Sequence, residues 1–123
     1  MNPLDLAQQA AFAALEKKAL APLILDVRGV SDLCDVQFLC SGENDRQTRA
    51  IAEAIEERCR KMFGIRPVAV EGKRSGQWIL LDYGSIMVHV FFSQLRKYYS
   101  LEELWPKAQT VAIDPRSVTK QAP

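Results

Sequence analysis

A single α/β domain, built on a mixed five-stranded sheet packed with helices, is the fold class predicted by this 123-residue sequence. Three observations carry the prediction. Ile51, Ile55, Cys59, Met62 and Phe63 recur at helical spacing. The stretch from Trp78 to Phe92 alternates about Gly84-Ser85 as a β-hairpin does. Short apolar runs bounded by turn residues give the order helix, strand, strand, helix, strand, strand, strand, then short helices. Helices that interrupt strands, together with a hairpin that must be antiparallel, make a mixed sheet the economical arrangement.

The first helix is expected over 2–20. Asn2 can cap it, Pro3 suits its first position, and Asp5 meets the positive end of its dipole. Leu4, Ala7, Ala11, Ala14 and Leu15 form its apolar stripe, and Pro22 is expected to end it. Strands follow over 23–27 and 36–40, running into Gly29 and Gly42. The second helix begins at Asn44 or Asp45 and closes at Gly64, with Glu53, Glu56, Glu57, Arg60 and Lys61 on a solvated face. A third strand is expected over 66–70. Ser93 can cap a short helix, and Ser100 to Glu103 fits a capping box ahead of Leu104, Trp105 and Pro106. The domain is expected to span 1–106. The remainder, 107–123, has little periodicity and is expected to be a mobile tail.

In the hairpin, a two-residue turn with Gly first fits a type II′ loop. That register sets Tyr83 opposite Ile86, Leu81 opposite Val88 and Ile79 opposite Val90, an apolar face suited to a core. The other face pairs Asp82 with Met87, Leu80 with His89 and Trp78 with Phe91. Such a mixture of aromatic, aliphatic and polar groups suits contact with a partner. A three-residue loop would mix the two sets, so the assignment depends on the register.

Composition narrows the function classes. Lys and Arg number 16 against 15 Asp and Glu, a net charge of +1, so there is no basic excess for a function built on phosphate contacts. Hydrophobic content of 48% and charged content of 25% are ordinary for a folded domain. The start Met-Asn-Pro-Leu-Asp lacks the basic and apolar regions of a signal peptide, and no apolar run approaches a membrane span. Cys34, Cys40 and Cys59 have no zinc-like spacing and read as buried thiols, which points to a reducing, cytoplasmic home.

Catalytic patterns are thin. His89 is the sole histidine, no serine stands in a G-x-S-x-G elbow, and nothing in the sequence activates a cysteine. Gly72-Lys73-Arg74-Ser75-Gly76 has glycines and cations but lacks the phosphate-loop pattern and leads into a strand. The turn before the second helix carries Glu43 and Asp45, which repel an anion. No catalytic residue, metal site or cofactor is expected, and the chain is not expected to be an enzyme.

One ordered series goes further. Asp26-Val27-x-Gly29-x-Ser31, Asp35, Gly42, Arg46, Ala50-Ile51-Ala52, Val70-Glu71-Gly72, Trp78, Asp82-Tyr83-Gly84, Val88-His89-Val90-Phe91, Arg96, Tyr99 and Leu101-Glu102-x-Leu104-Trp105 follow one another along the chain. This series resembles the ribosomal silencing factor family, also called Iojap-like. The resemblance implies a mixed-sheet domain related in shape to nucleotidyltransferases. It also implies a translation repressor that binds the large ribosomal subunit through ribosomal protein number fourteen and blocks joining of the small subunit. The family's contact tryptophan corresponds to Trp78. Ser85 stands where an acidic residue is frequent, and Asp45 where a serine is frequent.

The expected partner-binding set is therefore Trp78, Leu80, Asp82, Met87, His89 and Phe91, with Arg96 and Tyr99 extending or bracing it. The same face could pair two copies into a homodimer when no ribosome is present. Two other classes stand beside this one. An RNA-binding accessory factor in large-subunit assembly would use Arg58, Arg60, Lys61, Arg66, Lys73 and Arg74, and auxiliary rRNA contact is compatible with the main reading. A nucleotidyltransferase-type enzyme would need paired carboxylates, and no D-x-D occurs.

Overall fold

Asn2 opens the first helix as its residue type demands. In the computed structural model, which describes residues 2–93 and 107–114, its side chain accepts a 2.9 Å hydrogen bond from the Leu4 amide. Helix α1 then runs Pro3–Glu16 and stops four residues short of the expected end. The stop is a Schellman turn. Lys18 takes the left-handed conformation (φ 62°), its amide bonds Leu15, and the Ala19 amide reaches back to Ala14. From the start of the second helix, the Gln47 amide group donates to the carbonyls of both Lys17 and Lys18 at 3.1 Å. Pro22 thus ends no helix. It lies inside β1 (Leu20–Asp26), where the pairing slips between Leu20 and Leu23 and Ala21 has φ 47°. The buried stripe of α1 also differs from expectation. Leu6, Ala10 and Ala13 join Ala7, Ala11 and Ala14 inside, while Leu15 is exposed.

Strand β2 (Val36–Gly42) is buried along its whole length. Helix α2 (Asp45–Phe63) begins at Asn44, whose side chain accepts from the Gln47 amide at 2.8 Å, and ends on Gly64 in the left-handed conformation. β3 (Ala69–Glu71) is shorter than expected, and β4 (Trp78–Asp82) and β5 (Ile86–Phe92) form the hairpin. The register is the one the two-residue turn requires: Asp82 opposite Met87, Leu80 opposite His89, Trp78 opposite Phe91. Gly84 has φ 83°, and the Ser85 amide bonds the Tyr83 carbonyl at 3.1 Å, so the loop is drawn tighter than the expected type II′ turn.

A sixth strand corrects the expectation of a five-stranded sheet. β6 (Gln109–Val111) pairs antiparallel with β1, so residues 109–111 of the expected tail belong to the sheet. Gln8 of α1 ties the segment down by donating to the Ala112 carbonyl at 2.8 Å and accepting from the Asp114 amide at 2.9 Å. The short helices expected after Ser93, and residues 115–123, lie outside the described residues.

The sheet order is β3-β4-β5-β2-β1-β6, with β2 and β5 parallel and every other pair antiparallel. Both helices pack on one face, over Ile24, Phe38, Cys40, Ile79, Leu81, Val88 and Val90. The predicted apolar side of the hairpin is that core face. Fully burying aliphatic side chains of this kind stabilises by roughly 1.5–3 kcal/mol each.

Candidate partner-docking face

Strand alternation sends the other hairpin set to the face that α1 and α2 leave uncovered. The register adds neighbours from β2: Gln37 beside Met87, Leu39 beside His89 and Ser41 beside Phe91. Leu25, Val27, Cys34, Leu39 and Phe91 form a second apolar cluster there, with Leu23, Trp78, Met87 and Ala108 packed against it. The face is thus a thin second core with a partly open border.

The structure divides the expected site residues into two classes. Trp78, Leu80, Asp82 and Met87 are half-buried and present surface. His89 and Phe91 do not, at 6% and 1% exposed. Their place is beneath Trp78, whose ring lies 5.1 Å from Phe91 and 6.0 Å from His89, centroid to centroid. His89 and Phe91 are themselves nearly parallel, at 8°. Such offset aromatic packing holds a ring in one pose more firmly than aliphatic packing does. Arg96 and Tyr99 lie outside the described residues. Asp82 has a structural task, since its Oδ1 accepts from the Gly84 amide at 2.8 Å and braces the hairpin turn.

The loop between β3 and β4 sets the position of Trp78. Gly72 has φ 86°, and a Cβ there would meet the Trp78 carbonyl oxygen at 1.9 Å. Gly76 presses on Asp45 at the start of α2, and the Thr48 hydroxyl lies 2.6 Å from the Gly76 carbonyl. Arg49 donates to the carbonyls of Lys73 and Arg74 at 2.7 Å each, and Lys73 pairs with Glu56 at 2.8 Å. The glycine- and cation-rich loop is therefore a strut between α2 and β4.

His89 anchors the polar part of the face. Its Nδ1 lies 3.1 Å from the indole nitrogen of Trp78, and its Nε2 lies 2.7 Å from Oε1 of Gln37. Burial pushes its pKa down to about 4, so it is neutral at physiological pH. Gln37 and Cys34 were absent from the sequence-derived set. The visible signal was alternation in β2, which sends Gln37 to the face opposite Phe38, but only the pairing of β2 with β5 brings it to His89.

Several groups that other chemistries would use have structural partners. Asp26 engages Arg28 with both oxygens, at 2.9 and 2.6 Å, and this pair holds its carboxyl below the usual range. All three cysteines are buried; burial pushes Cys34 up and Cys59 to about 11, so neither is a thiolate at neutral pH. Among the described residues no three His, Cys, Asp or Glu side chains come together as a metal site would require. No described helix is long and apolar enough to cross a membrane. Of the six cations considered for RNA, Arg58 pairs with Glu16, Arg60 and Lys61 with Glu57, and Lys73 with Glu56. A recess of about 530 Å³ between α1 and α2, lined by Ala13, Ala50, Ala54 and Met62 among charged groups, lies on the other layer, away from this face.

Comparison with known proteins agrees with the fold. The family model described as ribosomal silencing factor during starvation matches residues 1–123. A ribosomal silencing factor of Bacillus subtilis is 37% identical over 114 residues, 93% of this chain and 96% of that protein. A mouse protein named for mitochondrial assembly of the ribosomal large subunit is 40% identical over 38 residues, 31% of this chain and 17% of that protein. A solved structure from Chromobacterium violaceum superposes with a TM-score of 0.82 at 29% identity, covering 86% of this chain and 88% of the other.

Proposed function

Since the chain belongs to the family of ribosomal silencing factors during starvation, a family of translation regulators, we propose that it is a repressor acting on the large ribosomal subunit. In this reading it docks on ribosomal protein number fourteen and occupies space the small subunit needs, so inhibition is steric. No catalytic step is involved. The observation that carries the reading is Trp78: a partly buried indole packed against Phe91 and His89, bordered by Leu80, Met87 and Asp82. Partly exposed aromatic anchors on a rigid platform are the residues that dominate protein interfaces. Leu80 and Met87 supply desolvated contact beside the indole. Asp82 supplies a negative group toward a basic partner while one of its oxygens holds the turn. Phe91 acts from below, by supporting the ring.

Co-sedimentation of the purified chain with separated large and small subunits tests the proposal. The expected result is binding to the large subunit alone, with loss of subunit joining at saturation. Trp78→Ala is expected to weaken that binding by about 2 kcal/mol or more while leaving the fold intact. Unimpeded joining at saturating occupancy would defeat the steric mechanism. Unchanged affinity of a folded Trp78→Ala protein would remove the indole from the interface.

A further inference from the structure

Hydrogen bonds beneath Trp78 form a chain in which each donor dictates the next. The indole Nε1 can only donate, so His89 Nδ1, 3.1 Å away, must accept. A neutral imidazole that accepts at Nδ1 carries its proton on Nε2. That proton points at Gln37 Oε1, 2.7 Å away. With its oxygen so placed, Gln37 turns its nitrogen to Cys34 Sγ at 3.2 Å, and the protonated thiol in turn has the Val36 carbonyl at 3.5 Å. Flipping the Gln37 amide would set two donors against each other. The sequence Trp78, His89, Gln37, Cys34, Val36 therefore has one consistent direction. It crosses from β4 over β5 to β2, and its three middle members are 6%, 2% and 7% exposed.

We propose that Gln37 is a positioning residue for docking: it holds His89 in the tautomer that fixes the Trp78 indole in its binding pose. This rests on the reading of Trp78 as the docking anchor. Neither the packing of Phe91 nor the hairpin register can do the same work, because neither selects which imidazole nitrogen accepts. Without an acceptor at Gln37, the Nε2 proton has no partner, and the alternative tautomer turns a second donor toward the indole. Protonated His89 has the same defect, since both its nitrogens donate. The surroundings offer little competition. Among the described residues, the open-face positions of β2, β4 and β5 hold no Lys or Arg. Their one carboxylate is Asp82, with Glu71 on β3 opposite Leu80, and Cys34 and the exposed Asp35 ahead of β2, as the other titratable groups.

Two variants and two readouts test this. His89 is the only histidine, so its imidazole nitrogens in a 15N-labelled chain report the tautomer without ambiguity. Wild type is expected to show Nε2 protonated and Nδ1 unprotonated near neutral pH. Gln37→Leu puts an apolar side chain of similar size in its place and so removes the acceptor. It is expected to mix or reverse the tautomers and to lower large-subunit affinity about tenfold. Gln37→Glu supplies a stronger acceptor and favours the imidazolium. Its large-subunit binding is expected to fall as pH drops through a raised His89 pKa and to recover at higher pH, while wild type stays flat over the same range. Recovery within one protein separates tautomer control from misfolding. An unchanged tautomer in Gln37→Leu, or pH-independent binding by Gln37→Glu, overturns the proposal. A changed tautomer with unchanged binding also overturns it as a docking device. If wild type itself fails to bind the large subunit, the docking reading falls instead, and the nitrogen spectra still decide whether Gln37 sets the tautomer.

Discussion

At the scale of single residues, the informative position is a buried histidine that serves as an acceptor. Its pKa of about 4 in the folded chain lies below the ordinary 6.5 because burial disfavours the charged form. The folded state therefore binds this proton less readily than the unfolded state does. The stability that His89 contributes is complete above pH 6.5 and is lost as pH falls from 6.5 toward about 4, on the order of 3 kcal/mol across the full window. Urea titrations at about pH 7.5 and pH 4.5 should show this loss in wild type, and His89→Phe should show a smaller one. Equal slopes in the two proteins would mean that His89 does not carry the dependence. The sequence disclosed that His89 faced away from the core, since alternation about Gly84 is local. It did not disclose the burial of His89 or the partner Gln37. Both depend on which strand lies beside β5, and no short-range pattern encodes that.

At the scale of elements, helix α1 and the turn after it show how a stop can be hidden. Lys18 occupies the left-handed position that glycine usually fills, so the sequence carries no stop signal before Pro22. Left-handed backbone costs a non-glycine residue about 1–2 kcal/mol, and glycine returns part of that through its freer unfolded chain. Lys18→Gly is expected to raise stability by roughly 0.5–1 kcal/mol, read as a higher denaturation midpoint, provided the Gln47 bonds to the Lys17 and Lys18 carbonyls persist. A lowered midpoint would show that the Lys18 side chain has a role beyond the turn. By contrast, α2 was legible almost to the residue, because Asn44, its helical apolar stripe and Gly64 all state the same thing locally.

At the scale of the whole molecule, the sheet is wider than the sequence suggested because β6 has only three residues and no periodic signature. Such a strand is held by what it joins. Val111 and Ile113 pack against the main core, and the buried Gln8 amide bonds the chain on both sides of Ile113. Ending the chain after Pro106 is expected to cost about 3 kcal/mol, from lost apolar burial and an orphaned amide. The corresponding loss of denaturation midpoint would be absent from a chain ending after Asp114, which keeps these contacts. Equal midpoints for the two truncations would return 107–114 to the status of a dispensable tail.

The parallel contact between β2 and β5 has a consequence in time. Gln37 and His89 are 52 positions apart, and everything between them must be made before they meet. The β4–β5 hairpin can form on its own as a local unit, whereas closure of the sheet waits on this distant pairing. During synthesis the hairpin that carries the indole can therefore form before Gln37 is docked against His89. Only the closed sheet holds the indole in one pose, so docking on the proposed target, the machine that made the chain, is a late event in the life of this protein.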